Sequence, residues 1–324
     1  MSRPTRVPTG RFAPPAPVRE LTAVSATGAR IHVETHGPQD GPPVVLAHGW
    51  TCSTVFWAPV IRRLTAEGHR VVAYDQRGHG RSPATPGRYG VQGLADDLCA
   101  VLDTVLDEDE RAVIGGHSMG GMTVMAAAGR PALRRHAAAV LLCSTGAQRL
   151  SGQARVIPLR SERTRAAAHK LLLGSPLPLG PVSALSRRAL AYATMGPGAP
   201  ADAVEACARI VHACPRLVRS AWGGVLHALD VVRQLPELTV PTAVLAGTRD
   251  RLTPVAHARE LAAALPDCVA LHELPGLGHM TPMEDPETVA DVLRALARDH
   301  LPGGAGDAGS GARGTKTTEF EETA

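Results

Sequence analysis

Short apolar runs alternate along the chain with longer stretches in which apolar residues recur every three or four positions. The runs at 21–25, 31–35, 44–47, 71–74, 112–115, 139–143, 243–246 and 269–274 have the length and composition of strands. The first two are predicted to pair antiparallel around a turn at Gly28. Residues 54–67, 91–106, 120–129, 254–264 and 287–299 have helical spacing. Within 91–106, Leu94, Leu98, Val101, Leu102 and Val105 form one apolar stripe, and Asp96, Asp97 and Asp103 are expected on a solvated face. Strands and helices in alternation predict an α/β fold: a mostly parallel eight-stranded sheet with helices on both faces.

From 145 to 238 the alternation breaks, leaving a connection far too long for an ordinary crossover. It contains helical pieces at 186–195, 201–214 and 217–235, separated by the turn-rich segments 174–181 and 196–200. An insertion there would hang over the carboxyl ends of the strands, where ligands bind in open α/β sheets. The predicted organisation is therefore a core of 20–144 and 239–301 with a helical cap at 145–238. Residues 1–19 carry Pro4, Pro8, Pro14, Pro15 and Pro17 without an apolar run long enough for a signal-peptide core, and are expected to be a disordered arm. The Gly-, Thr- and Glu-rich stretch 302–324 is expected to be a disordered tail.

Composition narrows the class of protein. With 324 residues the chain is long enough for one large domain carrying an insertion, and 44% hydrophobic with 20% charged residues is ordinary for a globular protein. Aromatic residues make up only 3%, so the core must rest on Ala, Val and Leu. A net charge of +4 without a clustered reading element gives no case for nucleic acid. No segment approaches the about 18 uninterrupted apolar residues of a membrane-spanning helix. The six cysteines, Cys52, Cys99, Cys143, Cys207, Cys214 and Cys268, lack CxxC spacing and suggest reduced thiols in a cytoplasmic protein, with no metal set.

The candidate chemistry begins at Gly116-His117-Ser118-Met119-Gly120, which follows the apolar run 111–115 and opens an alanine-rich helical stretch. A serine on a sharp strand-to-helix turn is presented outward, and glycines two residues away on either side let neighbouring chain come close. A serine hydroxyl is a weak nucleophile that needs a base, which needs an orienting acid. Asp250 follows the strand 243–246 in Gly247-Thr248-Arg249-Asp250, and His279 follows the strand 269–274 in Gly276-Leu277-Gly278-His279. Asp230 and Asp267 are poorer partners for the histidine, because one falls in a helical cap segment and the other in a helix-to-strand turn. The order Ser118, Asp250, His279 matches one of the known chain orders for this constellation.

These motifs, together with Val44-Val45-Leu46-Ala47-His48-Gly49-Trp50 and Tyr74-Asp75-Gln76-Arg77-Gly78-His79-Gly80-Arg81-Ser82, resemble the α/β-hydrolase family over about residues 20–300. The resemblance implies a serine hydrolase that acts on a small or medium carboxylic ester through an acyl-enzyme, without metal or organic cofactor. It also implies an oxyanion hole from the backbone N–H groups of Trp50 and Met119, with His48, Gly49, Gly116 and Gly120 in supporting roles. His117 is expected to pack or line the pocket, and Asp75 and Arg77 to fix their loop by mutual or backbone pairing.

Epoxide hydrolases and haloalkane dehalogenases share the His-Gly and Asp-x-Arg-Gly motifs but carry aspartate where this chain has Ser118, which argues against them. A cofactor-free haloperoxidase or perhydrolase, a carbon–carbon bond hydrolase and a non-catalytic receptor on the same scaffold remain compatible with the sequence. The first half of the expected cap is strongly basic: Arg149, Arg155, Arg160, Arg163, Arg165, Lys170, Arg187 and Arg188 face only Glu162. Two readings follow: a solvated outer face over a small helical core, which is preferred, or a surface that attracts anionic substrate or lipid headgroups, with Leu171, Leu172, Leu173, Leu177 and Leu179 supplying an apolar patch for interfacial contact.

Overall fold

A computed structural model describes residues 8–302. Eight strands form one sheet: β1 (Arg19–Val24), β2 (Arg30–His36), β3 (Pro43–Ala47), β4 (Arg70–Tyr74), β5 (Ala112–His117), β6 (Ala137–Cys143), β7 (Thr242–Gly247) and β8 (Cys268–Leu274). Their spatial order is β1-β2-β4-β3-β5-β6-β7-β8; β2 runs antiparallel to both its neighbours, and every other pairing is parallel. The predicted mostly parallel eight-stranded sheet is borne out.

The helices of the frame are α1 (Ala58–Ala66), α2 (Val91–Val105), α3 (Met119–Ala127) and α4 (Pro131–His136) before β6. Between β6 and β7 lie α5 (Leu150–Gln153), α6 (Glu162–Leu173), α7 (Ala184–Thr194), α8 (Ala201–Ala213) and α9 (Arg216–Ala228). After β7 come α10 (Ala256–Ala264), α11 (Thr281–Glu284) and α12 (Pro286–His300). Strand alternation explains the layers: in β3, Val45 and Ala47 pack into the cluster that holds α2 and α3, while Val44 and Leu46 pack into the one that holds α1 and α12. Both faces of the central strands are thus covered, which is why they read as unbroken apolar runs.

Several expectations need correction. Asp97 is buried, not solvated, and takes the Nε and Nη2 of Arg77 on its two carboxylate oxygens. Position 97 lies three residues after Leu94 and four before Val101, at the edge of the apolar stripe, where a charge survives only with a partner. Residues 8–18, expected within a disordered arm, are held in place. Gly10–Phe12 forms a short 3-10 turn, Phe12 is only 2% exposed in the cluster with α1, and Arg11 pairs with Asp202 at 2.8 Å. Phe12 is the one aromatic among the prolines of that segment, and its burial anchors it. Residues 1–7 of the arm and 303–324 of the tail lie outside the described residues.

The helical reading of 217–235 ends early: α9 stops at Ala228, and a separate 3-10 segment, Val232–Glu237, follows with Pro236 inside it. Helices α4, α5, α6 and α11 have no counterpart in the sequence pattern. Over α6 the reason is physical, since only His169 of its residues is buried and no apolar stripe exists to see. All six cysteines are free, and among the described residues no helix is long and apolar enough to cross a membrane.

Candidate active site

Ser118 sits between the last residue of β5 and the first of α3 with φ 51° and ψ −115°, a backbone conformation that costs energy for a residue with a side chain. Two bonds hold it there: its N–H donates to Cys143 O at 2.9 Å, and its carbonyl accepts from Thr145 Oγ1 at 2.7 Å. The flanking glycines are required by close approach. A Cβ on Gly120 would stand 2.1 Å from Ala47 O at the end of β3, and one on Gly116 would stand 2.6 Å from Gly120 O.

Asp250 follows β7, with both carboxylate oxygens engaged. Oδ1 accepts from the N–H groups of Leu252 (2.8 Å) and Thr253 (2.9 Å), and Oδ2 accepts from Thr253 Oγ1 (2.8 Å) and His279 Nδ1 (2.8 Å). A carboxylate can only accept, so the Nδ1 of His279 carries the proton and a neutral ring has a bare Nε2. The loop bearing His279 is tied to the end of α7: the N–H groups of His279 and Met280 both donate to Thr194 O, at 2.8 and 3.1 Å. Glu284 adds a second tie by accepting from Gly196 N–H (2.7 Å) and Gly278 N–H (3.1 Å). Burial pushes the Glu284 carboxyl up from its ordinary range.

Ser118 and His279 line one cavity of about 650 Å³, roofed by the helices between β6 and β7 through residues such as Leu150, Leu172, Leu190 and Leu226. Ser118 Oγ makes no hydrogen bond with any of the described residues, so Ser118 and His279 line one cavity without a direct bond between them. Serine–histidine bonds of this kind are often long in an unliganded protein and tighten with substrate. His117, expected to pack or line, does both: its ring lies 4.5 Å from that of Phe56 and 4.9 Å from that of His279, and its Nε2 donates to His279 O at 2.9 Å. Burial depresses its pKa well below the ordinary value, with the neighbouring His279 adding to the effect.

The loop after β3 crosses beside Ser118, where Gly49 leaves room for the His117 ring; a Cβ at Gly49 would meet His117 Nδ1 at 2.8 Å. His48 donates from Nδ1 to Gly49 O at 2.7 Å and accepts at Nε2 from Gln76 N–H at 2.9 Å, so its tautomer is fixed. Complete burial holds its pKa down at about 3. Thr51 adopts φ 64°, and its N–H donates to His79 Nε2 at 3.2 Å. Asp75 accepts from Thr54 N–H and Arg81 N–H, both at 2.8 Å, and burial raises its pKa to about 6. Asp75 therefore pairs with backbone, whereas Arg77 pairs with Asp97 and not with Asp75. The backbone N–H of Trp50 donates to none of the described residues, whereas its indole Nε1 donates to Arg219 O at 3.0 Å, and Met119, at the first position of α3, has no intrahelical acceptor for its backbone N–H. Both backbone N–H groups belong to the turns that flank Ser118. Among the described residues no cluster of His, Cys, Asp and Glu could hold a metal ion.

The model of the alpha/beta hydrolase family matches residues 44–292, a span that includes Ser118, Asp250, His279 and the loop after β3. The chain belongs to the alpha/beta hydrolase family. As an alpha/beta hydrolase it is similar to a protein of Variovorax paradoxus (strain S110) named as a carbamate hydrolase, RutD, with 32% identity over 277 residues, 84% of this chain and 98% of that one. It is also similar to the non-heme chloroperoxidase of Streptomyces lividans, with 27% identity over 286 residues, 86% of this chain and 99% of that one. Among solved structures it resembles a thermophilic esterase from Thermogutta terrifontis, with TM-score 0.67 and 25% identity over 87% of this chain and 100% of that one.

Three residues of this hydrolase's site have no role in the sequence reading. Thr253, which bridges Asp250 and His279, is visible there as a hydroxyl three residues after the acid, a spacing that suits a turn closing on a carboxylate. His79 and Glu284 act through contacts between segments distant in sequence, so nothing local marks them.

Proposed function

We propose that this alpha/beta hydrolase cleaves a small or medium carboxylic ester through an acyl-enzyme formed on Ser118. One observation carries the reading: the 2.8 Å bond between Asp250 and His279, whose ring lines the same cavity as Ser118. In the proposed mechanism His279 Nε2 takes the proton of Ser118 as Oγ attacks the ester carbonyl. Asp250 keeps the imidazole in the tautomer that makes this possible and stabilises its charged form. The tetrahedral oxyanion is held by the backbone N–H groups of Trp50 and Met119, each contributing about 3 kcal/mol in sites of this type. His279 then returns the proton to the leaving alcohol, and a water activated by the same imidazole releases the acid.

The segment 145–238 serves as a cap over this cavity, and the leucines of it that line the cavity, such as Leu150, Leu172, Leu190 and Leu226, favour a substrate with an apolar acyl or alcohol part. His48 braces the oxyanion loop, and Gly49, Gly116 and Gly120 allow the backbones around Ser118 to meet. Kinetics on p-nitrophenyl esters of increasing chain length test the proposal. Ser118→Ala is expected to reduce kcat by about a million-fold, the size of nucleophile loss in a triad acting as a unit. Substantial turnover by that variant would refute the mechanism.

A further inference from the structure

The rim of the cap is apolar where an ordinary surface is not. Leu171, Leu177 and Leu185 are 78%, 70% and 79% exposed, and Leu172 and Leu179 are exposed beside them. These residues are not the small helical core that a solvated-face reading of the segment requires. On α7, Leu185, Arg188, Ala189 and Tyr192 are all exposed at the spacing of one helix face; on α6, Arg163, Ala167, Lys170 and Leu171 are likewise exposed together. The loop between the two helices carries Leu177, Pro178 and Leu179, which also line the cavity, so the apolar rim is continuous with the mouth above Ser118.

Charge accompanies the leucines. Arg165 is spent on the carbonyls of Gly152, Leu159 and Arg160, and Arg187 on Glu205. Arg160, Arg163, Lys170 and Arg188 are exposed and have no ion-pair partner among the described residues. Exposed leucines interleaved with unneutralised cations match a surface that is apolar beneath an anionic layer. We propose that this rim is a docking surface for an anionic lipid bilayer, with the leucines entering the headgroup region and the four cations on lipid phosphates. A second copy of the chain is a poorer occupant, because a twofold contact would set these cations against their own copies. The proposal does not depend on the reaction at Ser118.

The test is sedimentation of the full chain with vesicles of phosphatidylglycerol and phosphatidylcholine, against vesicles of phosphatidylcholine alone. The protein is expected to pellet with the anionic vesicles at about 0.05 M salt and to lose at least about tenfold in partitioning at about 0.5 M. R163Q, K170Q and R188Q are each expected to lower partitioning about fivefold. L171S and L185S are each expected to lower it about tenfold, while hydrolysis of a soluble ester by all five variants stays within about twofold of the parent. Absent binding, salt-independent binding, or equal binding to both kinds of vesicle would overturn the proposal. So would a concentration-dependent dimer that L171S and L185S disperse without any vesicle association.

Discussion

The loops that follow β5 and β7 and the helices that roof them differ in how they use polar and apolar side chains. In the loops, Asp250 satisfies four donors, Ser118 is locked in a disfavoured conformation by two bonds, and glycines let backbones touch. In the roof, leucines face solvent and several cations stand without acidic partners among the described residues. Chemistry at a fixed point needs atoms held to a fraction of an ångström, and a dense hydrogen-bond network supplies that. A surface that selects or receives substrate needs only shape and charge, and tolerates looser packing.

If this contrast holds, substitutions in the loops should cost orders of magnitude and substitutions in the roof very little. Asp250→Asn is expected to lower kcat on a p-nitrophenyl ester by about ten-thousandfold, the size of the tautomer penalty in triads of this type. A loss below about tenfold, measured on protein with unchanged circular dichroism, would detach the aspartate from the chemistry.

Next in size is acid sensitivity. His48 and His79 are held neutral by burial, with pKa values of about 3 and about 4 against an ordinary 6.5, and burial depresses His117 as well. Each takes up a proton near pH 6.5 once the chain unfolds, so stability present above 6.5 is lost as pH falls toward the folded values. The limiting slope is about 1.4 kcal/mol per pH unit for each histidine. Asp75 opposes them, because its pKa of about 6 in the fold lies above the ordinary 3.8, and protonation between those values favours the folded state; Asp97 and Glu284, whose carboxyls burial also raises, act in the same direction. The net expectation is a loss of stability between pH 6 and pH 4, on the order of 1 kcal/mol per unit, because the depressed histidines act across the whole window and the raised carboxyls offset only part of it, read by denaturant titrations across that range. A midpoint that stays constant from pH 6.5 to 4.5 would contradict it.

Two glycines sharpen the comparison further. Gly120→Ala forces a Cβ to within 2.1 Å of Ala47 O and is expected to cost about 3 kcal/mol in unfolding free energy or to prevent folding. Gly224 is exposed within α9, and a Cβ added there would meet nothing within 4 Å, so it should accept alanine with a gain of about 0.5–1 kcal/mol. Thermal melts of the two variants should move in opposite directions.

The same contrast accounts for what can be read from the sequence. The eight strands and the helices facing them are legible because each carries its own apolar period, and Ser118, Asp250 and His279 because each follows a strand within a short glycine-marked turn. Asp97 is easily misread because a carboxylate at the stripe edge looks solvated until Arg77, twenty residues earlier, is seen to meet it. Phe12 anchors a segment whose prolines suggest disorder, and its partners lie in elements far along the chain. In the roof, α6 has almost no buried residue, so no periodicity could announce it, and Glu284 reaches Gly196 across 88 positions.

The most direct measurement of the central claim is covalent labelling of the protein with a fluorophosphonate, followed by peptide mapping. The account predicts a single adduct on Ser118, formed at least about a thousandfold more slowly after His279→Ala because the hydroxyl then lacks its base. Labelling at another residue, or at Ser118 with an undiminished rate in the histidine variant, would contradict it.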